Sequence, residues 1–216
     1  MNWFHVKTAL LALGLAVITA VPATAGVPTD QLRGAVDRVL KTLDDPSLKG
    51  ADKVNDRRVA VRKIANEIFD FGEIAKRSMA RHWQPLSEPQ RTEFVGLFAD
   101  LLERSYISKI ETYGGEKIQY TGERIDGEYA TVSTRIITKN GTEVPVDYRM
   151  TKRGDRWLVY DVSIEGVSLV SSYRTQFNKI IQTGSFEDLI QKLRTKQGEL
   201  AADDQSRGTK GTPVKK

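Results

Sequence analysis

Residues 129–151 read YATVSTRIITKNGTEVPVDYRMT, and the way this stretch folds back on itself decides the architecture. Two runs of alternating character, Tyr129 to Thr138 and Glu143 to Thr151, flank a polar segment containing Asn140-Gly141. A two-residue turn at Asn140-Gly141 would set Val144, Val146 and Tyr148 opposite Ile137, Arg135 and Ser133, mixing apolar and polar side chains on each face. A three-residue loop, Lys139-Asn140-Gly141 with Gly141 left-handed, pairs them instead with Ile136, Thr134 and Val132. One face then becomes apolar while Arg135, Asp147 and Arg149 face out, so the second register is the expected one.

The alternating period extends outward in both directions. Upstream it starts after Gly115, with Lys117 to Gln119; downstream it resumes from Arg156 to Ile164, giving an antiparallel meander of about four strands. The last strand is apolar on both faces at its start, which places it centrally, covered on both sides, or bulged. Trp157 and Tyr160 cannot share a face without a bulge.

Helical periodicity brackets the sheet. Leu32, Ala35, Val36, Val39, Leu40 and Leu43 form one stripe that ends before Asp45-Pro46. A second, short helix after Asn55 is expected to turn Val59, Ile64 and Ile68 inward, and Asp70 with Glu73 marks the start of a third. Ser87 and Gln90 form a capping box with Pro89 in the first turn, opening a long apolar series: Phe94, Leu97, Phe98, Leu101, Leu102, Tyr106, Ile110 and Tyr113, stopped by Gly114-Gly115. After the sheet, Ser168 caps a helix carrying Leu169, Val170, Tyr173, Phe177, Ile180 and Ile181, and Ser185 caps a last one with Phe186, Leu189, Ile190 and Leu193. Residues 198–216 are polar and aperiodic and read as a disordered tail.

The chain has 216 residues, no Cys, 33 Lys+Arg against 28 Asp+Glu, and 39% hydrophobic residues, the profile of one globular domain. The missing Cys excludes disulfides, thiolate catalysis, zinc fingers and iron–sulfur clusters. Residues 1–25 form a leader: Lys7 precedes an apolar run from Ala9 to Val21, followed by Ala23-Thr24-Ala25, small where signal peptidase reads. The run is shorter than the roughly 20 residues that span a bilayer, so an exported chain cleaved before Gly26 is expected. Nucleic-acid binding is not expected, because charges of both signs alternate along the sequence and no recognition motif appears.

Signals of chemistry are mostly absent. Neither a phosphate-cradling glycine loop nor G-x-S-x-G occurs, and Gly114-Gly115 is a helix stop. The two His are His5, in the leader, and His82, in a connector between helices where a surface or interface role is commoner than catalysis. Asp161 is the one acid inside an apolar strand; a capping or ion-pair role, with an Arg such as Arg174, outweighs a general-base role. What remains is excess apolar surface. Two aromatic-rich helices are expected to face a sheet whose inner face is Val, Ile, Tyr and Met, an arrangement that either fills its interior or leaves a pocket.

Several segments carry a resemblance to a known family. DFGEIA at 70–75, RHW at 81–83, EPQRTEF at 88–94 and LLERSY at 101–106 look like the helical half of the MlaC family, periplasmic phospholipid-binding proteins also described as toluene-tolerance or auxiliary ABC-transport proteins. WLVYDV at 157–162, EGVSLV at 165–170, YRTQF at 173–177 and GSFEDLI at 184–190 resemble its C-terminal signature. The resemblance spans Val27 to Gln197 and implies one lipid-binding domain over residues 26–197. It implies an α+β, NTF2-like fold, with helices packed over a curved antiparallel sheet that encloses a hydrophobic cavity. It also implies a carrier with no catalytic residues, no metal and no cofactor, whose cargo is phospholipid. The implied partners are an outer-membrane lipoprotein complex and an inner-membrane ABC transporter with an MCE-domain protein. The cavity is then expected to be lined by Phe94, Phe98, Leu101, Leu102, Tyr106, Ile110, Val132, Ile136, Val144, Val146, Tyr148, Met150, Tyr173 and Phe177. Three alternatives stay open at this level: a hopanoid-binding relative, a cavity enzyme of the same fold using Asp161 or Asp147, and an adaptor with a filled core.

Overall fold

In a computed structural model, residues 26–209 are described. The anticipated leader, residues 1–25, lies outside them, as do residues 210–216. Six α-helices run in the order α1 (Val27–Asp44), α2 (Val54–Ile68), α3 (Phe71–Met79), α4 (Glu88–Glu111), then, after the sheet, α5 (Leu169–Thr183) and α6 (Phe186–Thr209). Between α4 and α5 lie β1 (Lys117–Asp126), β2 (Tyr129–Ile137), β3 (Glu143–Arg153), β4 (Arg156–Ile164) and the two-residue β5 (Val167–Ser168). They form one curved, unclosed antiparallel sheet in sequential order.

The β2–β3 hairpin takes the three-residue loop. Val132, Thr134 and Ile136 stand opposite Tyr148, Val146 and Val144, the Thr138 amide donates to the Thr142 carbonyl at 2.9 Å, and Gly141 has φ +81°, a conformation that an L side chain adopts only with strain. The β3–β4 register slips between Arg149 and Met150, so that Met150 faces Val159, Arg149 faces Asp161 and Tyr160 is the extra residue. β4 is thus bulged as well as central; the bulge lets Val159 and Val162, three residues apart, share the sheet core, while Trp157 and Tyr160 stay on opposite faces. β4 is covered on both faces, by α1 and α2 on one side and by α3 and α5 on the other.

Helix starts follow their side-chain signals. The Asp70 carboxylate accepts the Glu73 amide, Ser87 and Gln90 form the capping box, and Ser168 accepts the Ser171 amide. Ser185 and Asp188 make a reciprocal pair at the head of α6.

Two apolar cores result. One is built mainly from helices: Phe94, Phe98, Leu101 and Leu102 of α4 pack with Ile74, Ala75 and Met79 of α3, Val170 and Phe177 of α5, and Leu189, Ile190 and Leu193 of α6, joined by Leu86 before α4. Aromatic edge-to-face pairs, Phe98 with Phe177 at 5.0 Å and Phe98 with Tyr173 at 4.9 Å, join α4 to α5. The other core lies between the sheet and the first two helices: Leu32 and Ala35 of α1 and Ile64 and Ile68 of α2 cover Ala130, Val132, Met150, Trp157 and Val159. Phe69, between α2 and α3, packs against both.

This arrangement corrects three expectations. The aromatic faces of α4 and α5 close on each other, since flat rings interdigitate best with rings, and the sheet's β-branched face is covered by the slimmer stripe of α1. In α2 Val59 is 65% exposed, and the inward stripe runs through Arg58, Val61, Ile64 and Ile68; Val59 sits about 100° from Arg58 around the helix and points to water. Finally, α6 continues past Gly198 to Thr209. Leu200 packs on the helical core and Ala201-Ala202 are strong helix formers, so the aperiodic reading of 198–209 gives way to helix.

Candidate lipid-binding site

The pleat decides which side chains share the sheet's inner face. Across the strands, Ile118, Ile136 and Val144 make one row, Tyr120, Thr134, Val146 and Ile164 the next, and Val132, Tyr148 and Val162 a third, followed by Ala130, Met150 and Val159. α1 runs along β1 over these rows. Its N-terminal end is fixed where Thr29 donates backbone and hydroxyl hydrogen bonds to the Glu123 carboxylate at 2.8 and 2.6 Å. Arg33 then lies over the Tyr120 ring at 4.6 Å.

The cover is uneven. Val132, Met150 and Val159 are completely buried under α1 and α2, whereas Ile118, Ile136, Val144 and Ile164 on the same face are only half-buried. An apolar face closed at one end and half-open at the other is a concave apolar site. Beyond its open end, the C-terminal ends of α1 and α4 border a hollow of about 480 Å³ lined by Leu43, Asp44, Lys49, Arg57, Glu111, Tyr113, Gly114 and Gly115. The ammonium of Lys139, in the hairpin loop, lies against Gly114.

A polar seam holds α4 against α2 beside this hollow. The Glu111 carboxylate accepts from Arg57 at 3.1 Å and from Arg58 at 2.9 Å, and Arg62 pairs with Glu103. Burial raises the Glu103 carboxyl above its ordinary value in spite of Arg62. Burial also raises the phenols of Tyr106, Tyr148 and Tyr173, and takes that of Tyr120 to about 12. These hydroxyls are therefore neutral over the physiological range and available as hydrogen-bond donors, not as bases.

The sequence-predicted lining residues fall into two sets. Phe94, Phe98, Leu101, Leu102 and Phe177 are buried in the helical core, with Tyr106 and Tyr173 half-buried against it, while Ile110 is 37% exposed. Val132, Val146 and Met150 are buried on the sheet face, and Ile136, Val144 and Tyr148 are half-buried there. The second set borders the open face. The first packs mainly upon itself. Sequence reasoning missed Ile118 and Tyr120 on β1 and Val36 and Val39 on α1, although the α1 stripe was visible; Tyr120 lay past the expected strand end because the bulge before Gly122 interrupts the alternation.

Neither candidate acid faces the site. Asp161, 4% exposed, accepts from the Ser168 hydroxyl at 2.6 Å and the Val170 amide at 3.1 Å, and Arg149 lies 3.5 Å away. Its role is the capping one, with Arg149 as the cation; Arg174 donates to the Arg77 carbonyl. Asp147 stands between Ser133 and Ser163 on the opposite face of the sheet. His82 lies 3.0 Å from the Asn178 side-chain oxygen at a helix connection. Among the described residues no group of three or more His, Asp or Glu is placed to hold a metal ion, and no helix is long and apolar enough to cross a membrane.

A curved, unclosed meander backed by helices, with one end of its apolar face half-covered and neutral phenols along it, defines an α+β domain built around a concave apolar site. The chain belongs to the MlaC family, whose model, described as MlaC protein, matches residues 33–195. It is 24% identical over 198 residues to the intermembrane phospholipid transport system binding protein MlaC of Haemophilus influenzae, covering 89% of this chain and 92% of that protein. It is also 24% identical over 208 residues to the toluene tolerance protein ttg2D of Pseudomonas putida, covering 93% of each. Among solved structures it is similar to the phospholipid-binding protein of Ralstonia solanacearum in complex with a phospholipid: TM-score 0.72 and 28% identity, covering 82% of this chain and 99% of that one.

Proposed function

We propose that this protein is a periplasmic phospholipid carrier. It takes acyl chains onto the apolar face of the sheet through the end where Ile118, Ile136 and Val144 are half-buried, and leaves the headgroup at the rim between α1 and α4. As the soluble component of an Mla-type ABC transport system, it moves lipid between an outer-membrane lipoprotein complex and an inner-membrane transporter with an MCE-domain protein, maintaining outer-membrane lipid asymmetry. Residues 1–25 are removed on export. The observation that carries the reading is the half-open apolar face, in a chain similar along most of its length to a protein solved with phospholipid bound.

The physical case rests on the acyl chains. Each methylene withdrawn from water is worth about 0.8 kcal/mol, so two long chains cost on the order of 20 kcal/mol to carry bare through an aqueous compartment. An apolar cleft removes that cost. A bilayer hides the chains equally well, so exchange between membrane and carrier is nearly balanced and direction must come from the partners. The test is native mass spectrometry with solvent extraction on the mature protein, purified from bacterial periplasm without detergent. A stoichiometric adduct of phospholipid mass is expected; a clean apo mass, with nothing taken up from liposomes afterwards, overturns the reading.

A further inference from the structure

Tyr120 stands apart from the other polar groups of the sheet's inner face. Thr134, its cross-strand neighbour, donates to the Val146 carbonyl at 3.0 Å. The Tyr120 hydroxyl is shielded from solvent and has no hydrogen-bond partner among the described residues. A buried hydroxyl without a partner is costly to the fold. The β1–β2 register shifts between Tyr120 and Gly122, so that Tyr120 and Glu123, three residues apart, both reach the inner face, where Glu123 holds the start of α1. The Arg33 guanidinium covers the ring at 4.6 Å and fixes it from the other side.

Its place along the face says what would satisfy it. Tyr120 lies one pleat inward from the half-buried row of Ile118, Ile136 and Val144, and the hollow with its charged rim lies outside that row. In a diacyl lipid the groups that come between an outer phosphate and the inner chains are the two ester carbonyls, which accept hydrogen bonds and carry no charge. We infer that the Tyr120 hydroxyl donates a hydrogen bond to an acyl ester carbonyl of the bound lipid, so that the protein distinguishes ester-linked from ether-linked phospholipids. The inference rests on the carrier reading and deepens it. The contact reads the glycerol linkage, which phospholipids of different headgroup share.

The test is a competition. Mature protein and its Tyr120→Phe variant are incubated with vesicles holding equal amounts of diacyl and dialkyl phosphatidylethanolamine of matched chain length, and the bound lipid is extracted and weighed by mass spectrometry. Wild type should be enriched in the diester lipid about threefold to tenfold, the worth of one such hydrogen bond, and in Tyr120→Phe the ratio should fall to about one. Equal uptake of both lipids by wild type overturns the inference while leaving the carrier reading intact, and it needs no variant to fold. A diester preference that survives in Tyr120→Phe also overturns it, since another group would then read the ester. If wild type takes up neither lipid, the carrier reading itself fails and the inference falls with it.

Discussion

At the scale of single residues, the polar side chains are the ones whose positions carry most information, because each buried polar atom needs a partner and few geometries provide one. Asp161 shows this. Its carboxylate ties β4 to the start of α5 through the Val170 amide and the Ser168 hydroxyl, while Arg149 faces it half in solvent. Asp161→Ala leaves the Val170 amide buried and unmatched, and should lower stability by about 2 kcal/mol, read as a fall in the urea midpoint at neutral pH; Asp161→Asn, which retains one acceptor, should lose about half as much. A change under about 0.5 kcal/mol in Asp161→Ala would mean that the clamp does not hold the helix start. That Asp161 would be engaged structurally was legible from its setting in an apolar strand. Its cation was not, because Arg149 is brought opposite it by the bulge at Tyr160, and the sequence offers a bulge as one of two readings of β4 without showing whose neighbour it changes. Tyr120 was hidden by a similar irregularity: the shift beside Gly122 breaks the alternation that would have carried the strand past Gln119.

At the scale of elements, caps and stripes were readable and their partners were not. Asp70, Ser87, Ser168 and Ser185 all sit at the helix starts they signal, since a cap is a bond between residues three apart. The stripe of α4 likewise states how much surface must be buried, but it is silent on where, and the choice of α5 and α6 over the sheet depends on ring-to-ring fit that no spacing encodes. The α2–α4 seam has a testable consequence. Glu103 is raised by burial more than Arg62 lowers it, so it holds its proton more tightly folded than unfolded. Stability is therefore lost as pH rises from about 4.5, the ordinary value, through the raised one, because over that window the folded state binds more protons than the unfolded. Glu103→Gln does not titrate and escapes the loss. Its stability relative to wild type should rise between pH 4 and pH 7, by less than about 1 kcal/mol given the partial exposure of Arg62, in urea midpoints taken across that range. A gap that moves the other way would show the Arg62 pair outweighing burial.

At the scale of the whole molecule, the two cores divide the work. The helical core of α3 to α6 is closed, with Phe94 and Phe98 completely buried, and supplies a rigid body against which β4 is held. The sheet core is closed only where α1 and α2 cross it, and the curvature of an unclosed sheet leaves the remaining apolar rows half-covered. This division fixes what a carrier of this build can select. In the proposed carrier the energy of binding would come from chains lying on Ile, Val and Tyr side chains, at about 25 cal/mol for each Å² withdrawn from water, and that term is blind to the headgroup. At the rim, the hollow is lined by two cations, Lys49 and Arg57, and two anions, Asp44 and Glu111, paired as Lys49 with Asp44 and Arg57 with Glu111, while at Gly114 the Lys139 ammonium and the Glu116 carboxylate add one charge of each sign. A rim balanced in this way offers an anionic headgroup no net attraction over a zwitterionic one, and at physiological ionic strength what field remains is screened within about 8 Å. Phosphatidylglycerol and phosphatidylethanolamine of matched chains should therefore be taken from mixed vesicles within about threefold of each other, and the ratio should stay flat as salt is raised from 50 to 300 mM, measured by extracting and weighing the bound lipid. A preference of tenfold or more that collapses with salt would place a net charge at the headgroup that this rim does not supply. A tenfold preference indifferent to salt would point to hydrogen bonds made to one headgroup alone, and the site would then read the lipid from its exposed end as well as from its chains.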